Sequence, residues 1–177
     1  MLIRNATEAD LPGILAIYNE VIRTSSAVYT EQEATLDDRR AWLAARTAQG
    51  YPVLVAEGPG GSVLGYATFG DFRPWPGYRH TVEHSVYIHA DARGQGLGAA
   101  LMEPLFGLAA GLGKHVMVAG IDAANSASIQ LHERLGFERV GTLREVGTKF
   151  SRWLDLMFMQ RMLDAGRQTS SMENSNA

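Results

Sequence analysis

The sequence predicts an α/β protein built on a single mixed sheet. Short β-branched and aromatic runs are interspersed with apolar stripes of helical spacing. They come in the order strand, two helices, a meander of strands, helix, strand, helix and closing strands. That order lacks the strict βαβ alternation of a doubly wound fold. A length of 177 residues, 46% of them hydrophobic, suits one domain with its own core.

The elements follow in chain order. LIRNA reads as a first strand. Thr7 stands three residues before Asp10 as an N-cap, and Leu11, Ile14, Leu15, Tyr18 and Ile22 then recur at helical spacing. Leu36 to Thr47 is expected to form a second helix with Trp42 and Leu43 on its buried side. PVLVAE is a strand, GPGGS a hairpin turn and VLGYATFG the returning strand. DFRPWPGYRH, rich in proline, arginine and aromatic residues, is a loop. TVEHSVYIH is a strand. Leu97, Leu101, Leu105, Leu108 and Leu112 form one helical stripe, within which Pro104 removes an amide donor and predicts a kink or a shortened helix. KHVMVAGID is a strand and NSASIQLHERLGF a helix stopped by Gly136. Strands around Phe137–Leu143 and Trp153–Met162 close the expected domain, residues 1–163. The polar tail, 164–177, is expected to be disordered.

Composition narrows the function classes. A formal net charge of −3 leaves no basic footprint for nucleic acid. No apolar run approaches the roughly 18 residues of a membrane span, and MLIRNATEADLPG lacks the apolar core of a signal peptide. The absence of cysteine excludes a thiolate nucleophile and a disulfide framework, and no His/Asp/Glu spacing compels a metal site. A soluble, cytoplasmic protein without metal is the expectation.

The most informative stretch is YIHADARGQGLGAALM. Three glycines at alternate positions, 94, 96 and 98, lead directly into the leucine stripe. A helix N-terminus carries unsatisfied amides and about half a positive charge, so a phosphate is its natural guest. Gly94, Gly96 and Ala99 satisfy the dinucleotide pattern G-x-G-x-x-A, with Asp122 ending the next strand. Yet a hairpin precedes them, and too little chain follows for a second nucleotide half. Arg93-x-x-Gly96-x-Gly98 instead resembles the [QR]-x-x-G-x-[GA] motif of the GNAT N-acetyltransferases, whose guest is the pyrophosphate of coenzyme A. Asn125, Ser128, Leu131, His132, Gly136 and Phe137 fit that family's N-x-x-[AS]-x-x-L-[YH]-x-x-x-G-F pattern. RPWPGYRHTVEHSVYIH, KHVMVAGID and VGTKFSRWLDLMFMQ are similar to the phosphinothricin and methionine sulfone/sulfoximine acetyltransferase branch, and the resemblance runs from Ile3 to Leu163.

That resemblance implies a GNAT fold with splayed central strands and acetyl-CoA as acyl donor. The pantetheine arm would pair with backbone groups of Val86, Tyr87 and Ile88. Arg93, Gly94, Gln95, Gly96, Leu97, Gly98 and Ala99 would cradle the pyrophosphate, and Asn125 would hold the pantetheine region. Glu83 would be the base, acting directly or through a water. A carboxylate pKa of ~4.3 lies far below an ammonium's ~10, so burial or a relay must assist. His132 occupies the place of the tyrosine acid found in many members; it either protonates the coenzyme A thiolate or positions the cofactor. His84 and His89 read as structural histidines, and the resemblance places His84 and Ser85 beside Glu83 in the amine site. Arg73 would grip a substrate carboxylate. Phe72, Pro74, Trp75 and Tyr78 would line the side-chain pocket, and Lys149, Phe150 and Trp153 belong to a segment that helps build it, sometimes across a homodimer interface. The implied reaction is acetyl transfer from acetyl-CoA to the α-amine of a small amino-acid analogue. Polyamine, aminoglycoside or protein N-terminal acetylation, and a non-catalytic acyl-CoA sensor, are the alternatives.

Overall fold

Thr7 and Asp10 open the first helical segment reciprocally, the Thr7 amide donating to Asp10 Oδ2 at 2.7 Å. One 3₁₀ turn, Glu8–Asp10, then runs into α1 (Leu11–Thr24). A second reciprocal cap, Thr35 with Asp38, starts α2 (Leu36–Ala48). The computed structural model describes residues 1–163, and the polar tail 164–177 lies outside the described residues. Its other elements are β1 (Leu2–Asn5), β2 (Val53–Glu57), β3 (Val63–Asp71), β4 (Thr81–Ile88), α3 (Leu97–Gly111), β5 (Val116–Asp122), α4 (Ser126–Arg134), β6 (Glu138–Lys149) and β7 (Arg152–Met162).

The strands form one sheet in the order β1-β2-β3-β4-β5-β7-β6. Every pair is antiparallel except β4 with β5, which run parallel. Side chains alternate across the sheet, so each strand feeds two cores. On one face, Leu11, Ile14 and Ile17 of α1 pack with Val53, Val55 and Tyr66, with Trp42 and Leu43 of α2 against them. On the other, Leu101, Met102 and Leu105 of α3 and Ile129 of α4 pack with Phe69, Val82, Met117 and Met159.

Two local expectations change. α3 runs from Leu97 to Gly111 through Pro104 and is not shortened by it. Leu101, Met102, Leu105 and Ala109 are all 0% exposed, and this burial outweighs the roughly 3 kcal/mol of an interior proline. The buried stripe also drifts: Met102 and Ala109 enter it, while Leu108 and Leu112 are exposed. β6 continues past Leu143 to Lys149 and returns through a two-residue turn in which Phe150 and Ser151 have φ of 51° and 57°. Hairpins favour such paired positive φ values because their twist matches the strands' own.

Candidate active site

The central seam of the sheet is short. β4 meets β5 only at Thr81 with Val116, Val82 with Met117, and Glu83 with Val118. From His84 onward β4 stays paired with β3, through Ser85–Thr68 to Ile88–Gly65, while β5 beyond Val118 keeps only its pairing to β7. The β5-facing side of Val86, Tyr87 and Ile88 therefore borders a gap. A cavity of about 80 Å³ occupies it, lined by His84, Ser85, Val86, Tyr87, Ala119 to Asp122, Asn125, Ser128, His132 and Ala27.

The alternation along β4 divides its chemistry. Tyr87 packs on the α1/α2 face, and Glu83 and Ser85 share its side of the strand. Val82, Val86 and Ile88 pack on the α3/α4 face, which His84 shares. Burial raises the Glu83 pKa above the ordinary carboxylate value, opposed by the positive charge of Arg73. Its carboxylate lies over Gly120 of β5: a Cβ there would stand 3.0 Å from Glu83 Oε1. Glycine at 120 leaves that carboxylate its room.

On the opposite face lies a buried histidine pair. His84 and His132 are 7% and 2% exposed, with ring centroids 5.0 Å apart and Nε2 atoms 3.0 Å apart. Phe137 covers both rings at 5.5 and 5.1 Å. His132 Nδ1 lies 2.7 Å from the Ser128 carbonyl. A carbonyl only accepts, so His132 Nδ1 carries the hydrogen and its Nε2 holds the lone pair. His84 then donates through Nε2–H, leaving Nδ1 as a bare acceptor. That Nδ1 is buried without a partner, an arrangement that costs about 1–3 kcal/mol. Burial lowers both pKa values, that of His84 to about 3 with His132 adding repulsion. Both rings are neutral.

The glycine loop delivers amides to the mouth of the gap. Gly94 and Gly96 have φ of 76° and 79°, the left-handed region that disfavours side chains, and Gly96 caps α3. The first bond of the helix is Ala100 N–H to the Gly96 carbonyl. The amides of Leu97, Gly98 and Ala99 thus stand free of helical partners and suit an anion. Gln95 donates to the Asp91 carbonyl at 3.2 Å. Arg93 faces Glu20 of α1 at 2.6 Å and donates to the Ile88 carbonyl at 3.2 Å; its guanidinium braces the loop. Asn125 Oδ1 caps α4 by accepting from the Ser128 amide at 3.1 Å, beside the cavity.

The segment after β3 carries the aromatic groups. Phe72 packs against Tyr78 and Phe158, with ring centroids at 5.8 and 6.3 Å, and the Arg73 guanidinium stacks 4.4 Å above the Phe72 ring. Trp75, which follows Pro74, is 71% exposed. The wall next to Glu83 is thus Phe72 with Phe158, and Trp75 stands in solvent. Lys149 is 1% exposed, and its ammonium donates to the Ser25 and Val28 carbonyls at 2.6 and 2.8 Å. The Phe150 amide donates to Glu31 at 2.7 Å, and Ser26 hydrogen-bonds Asp122. The β6–β7 turn therefore clamps the α1–α2 loop over the gap.

Residues 3–158 match the family model described as an acetyltransferase (GNAT) domain. The chain belongs to the GNAT acetyltransferase family. It is 55% identical over 165 residues to an L-methionine sulfoximine/L-methionine sulfone acetyltransferase from Pseudomonas paraeruginosa, spanning 93% of this chain and 96% of that one. It is 52% identical over 164 residues to the L-amino acid N-acyltransferase MnaT of Escherichia coli, spanning 93% and 95%. A GNAT superfamily phosphinothricin acetyltransferase from Sinorhizobium meliloti, solved with acetyl-CoA, superimposes with a TM-score of 0.90 at 40% identity, covering 98% of this chain and 94% of its own.

In this GNAT domain the seam gathers Glu83, His84, Ser85, Val86, Tyr87, Asn125 and His132, with Ile88 further along β4. The glycine loop lies at the end of β4, and Lys149 acts on the wall from behind. Sequence reasoning missed Gly120, Ser26, Glu20 and the Ser128 carbonyl. Gly120 had a readable signal, a glycine inside a strand pattern, which marks close approach. The Glu20–Arg93 pair joins residues 73 positions apart and had none.

Proposed function

We propose that the protein is an N-acetyltransferase that moves acetyl from acetyl-CoA to the α-amine of a small amino-acid analogue of the methionine sulfone, methionine sulfoximine or phosphinothricin type. The observation that carries this reading is the opened β4–β5 seam with a buried, pKa-raised Glu83 at its last rung, in a chain 55% identical to a methionine sulfoximine/sulfone acetyltransferase. Acetyl-CoA supplies the activated acetyl group. Its pyrophosphate fits the free amides at Leu97 to Ala99 with the Gly94–Gly98 backbone, and its pantetheine arm fits between the strands along Val86, Tyr87 and Ile88, next to Asn125. Glu83 takes the first proton from the substrate ammonium; burial brings its basicity closer to that task. Backbone amides of β4 face the carbonyl oxygen where negative charge develops, and a donor so placed is worth ~3 kcal/mol. Arg73, held on Phe72, binds the substrate carboxylate, with Phe72, Pro74, Trp75 and Ser85 bordering the side chain. Lys149 and Phe150 hold the opposite wall.

Residues 1–163 are proposed as one catalytic domain, acting in the cytoplasm as a homodimer. Support for the dimer is the exposed apolar row Val140, Leu143, Val146 and Trp153 on the β6–β7 hairpin. The deciding experiment is thiol release from acetyl-CoA across a panel of phosphinothricin, methionine sulfone, methionine sulfoximine, spermidine, kanamycin and a short peptide, with Glu83→Gln in parallel. Turnover on the amino-acid analogues alone, lost in Glu83→Gln while acetyl-CoA binding persists, is expected. Turnover confined to the other amines would overturn the substrate class, and silence on all of them the catalytic reading.

A further inference from the structure

Acetylation of an ammonium must dispose of two protons. One leaves before attack, so that nitrogen has a lone pair; the second leaves as the new C–N bond forms. The departing sulfur takes up one. Glu83 and its water route account for the first proton on the α1/α2 face of β4. A separate carrier close to sulfur would serve the second.

The histidine pair is built as such a carrier, but with an unexpected working end. Both nitrogens of His132 are committed, Nδ1 to the Ser128 carbonyl at 2.7 Å and Nε2 to His84 at 3.0 Å. His132 therefore has no atom left for a ligand. His84 is 93% buried by its 7% exposure, and its Nδ1 lone pair lacks a partner. It is also the first residue of β4 beyond the last rung with β5, and it lines the cavity in the seam. The order Ser128 carbonyl, His132, His84 repeats the logic of a base oriented by a second group that is itself oriented by a third.

On the acetyl-transfer reading above, we propose that His84 is the catalytic proton carrier to sulfur and that His132 is a positioning residue behind it. The N–H bond of the attacking nitrogen breaks, its electrons remain on nitrogen, and the proton binds His84 Nδ1. The positive charge is shared along the Nε2–H···Nε2 bond to His132. The C–S bond breaks with both electrons going to sulfur; the His84 Nδ1–H bond then breaks and an S–H bond forms. Each histidine ends as it began. A thiol's ordinary pKa, ~8.5, lies above imidazolium's ~6.5 even in water, so the last transfer runs downhill. Burial steepens it, because a desolvated imidazolium gives up its proton more readily; the same burial opposes the first transfer, so Nδ1 holds the proton only in passing.

The test uses the full-length protein. His84→Phe keeps a buried ring and removes both nitrogens; His84→Gln is the second variant should the first fail to fold. The expected result is a kcat at least 10²-fold lower, the usual span of general acid–base catalysis, with the acetyl-CoA Kd from calorimetry within threefold of wild type. His132→Phe should lower kcat tens of fold, and His132→Gln, which restores an acceptor for His84 Nε2–H, should recover most of it. In the free protein, ¹⁵N NMR should show hydrogen on His132 Nδ1 and His84 Nε2, and none on His84 Nδ1. A His84 variant with kcat within threefold of wild type, loss of acetyl-CoA binding in both His84 variants, equal kcat in the two His132 variants, or the opposite tautomers would each overturn the relay. Wild-type protein silent on every amine would instead overturn the acetyl-transfer reading, while the tautomers still judge the pair.

Discussion

Lys149→Met would test how the α1–α2 loop is held. Methionine keeps most of the buried stem and deletes the ammonium that donates to the Ser25 and Val28 carbonyls at 2.6 and 2.8 Å. Hydrogen bonds to a charged group contribute about 1.5–3 kcal/mol each. Against the two bonds stands the desolvation of an ammonium only 1% exposed, the effect that lowers its pKa. The net loss is about 2–3 kcal/mol. At about 2–4 °C per kcal/mol for a chain of this size, the melting temperature should fall by about 4–12 °C. The loop also carries Ala27, which lines the cavity, and Ser26, which reaches Asp122. Loosening it should raise the amine KM about tenfold, at the ~1.4 kcal/mol per decade that links energy to affinity, while the acetyl-CoA Kd changes less than threefold. Calorimetric melting and steady-state kinetics read both effects. A melting point within a degree of wild type with an unchanged amine KM would refute the clamp.

Three further outcomes follow from the same geometry. Glu83 must be ionised to act as base, and its pKa is raised, so kcat/KM should fall with decreasing pH along a limb above the ordinary carboxylate range. Arg73→Gln removes the charge that opposes the rise and should move that limb higher still; an unmoved or lowered limb would sink the assignment. Gly96→Val forces a β-branched residue to φ 79°, at a cost of at least the ~1–2 kcal/mol of a left-handed conformation. Calorimetry should show acetyl-CoA affinity reduced about tenfold, and undiminished affinity would dissociate the loop from cofactor binding. Asp10 is held at a pKa of about 2, first by Arg4 and then by Thr7. A depressed carboxylate pKa adds stability that is fully present above the unfolded value of 3.8 and lost as pH falls through about 2. The urea-stability margin of wild type over Asp10→Asn should shrink across that window, and a constant margin would contradict the pairing.

The sequence was most readable where a local rule decides the structure. Thr7 with Asp10 is a cap visible within four residues, and the glycines at 94, 96 and 98 mark a glycine loop at the N-terminus of α3. The β4 and β5 strands were legible because Val, Ile and aromatic residues crowd them. The β6–β7 turn was not, because Phe150 and Ser151 offer none of the Gly, Asn or Asp residues that announce positive φ. Packing on both sides supplies that conformation instead: Lys149 is pinned below, and the Phe150 amide is held by Glu31. Pro104 leaves α3 its full length for a related reason, since one missing amide is a small term against four fully buried neighbours. His132 was found from a motif, but the state of its two nitrogens depends on the Ser128 carbonyl one turn away and on His84 48 residues earlier. No spacing rule carries that information.

The three-rung seam has a consequence for how the protein breathes. β1 to β4 form one antiparallel meander, and β5, β7 and β6 form a second antiparallel unit, each paired over far more positions than the seam between them. Among the described residues the strands of the two halves pair only from Thr81 to Glu83; the helices on the two faces and the α1–α2 loop clamped by Lys149 complete the join. Thermal opening will start where the stitching is sparsest, with the two meanders parting like covers about a short spine. Amide hydrogens of Val116 to Val118 should therefore exchange with deuterium earlier than those deep in β3. A guest lying in the open part of that spine would act as binding thread, slowing exchange on both sides at once.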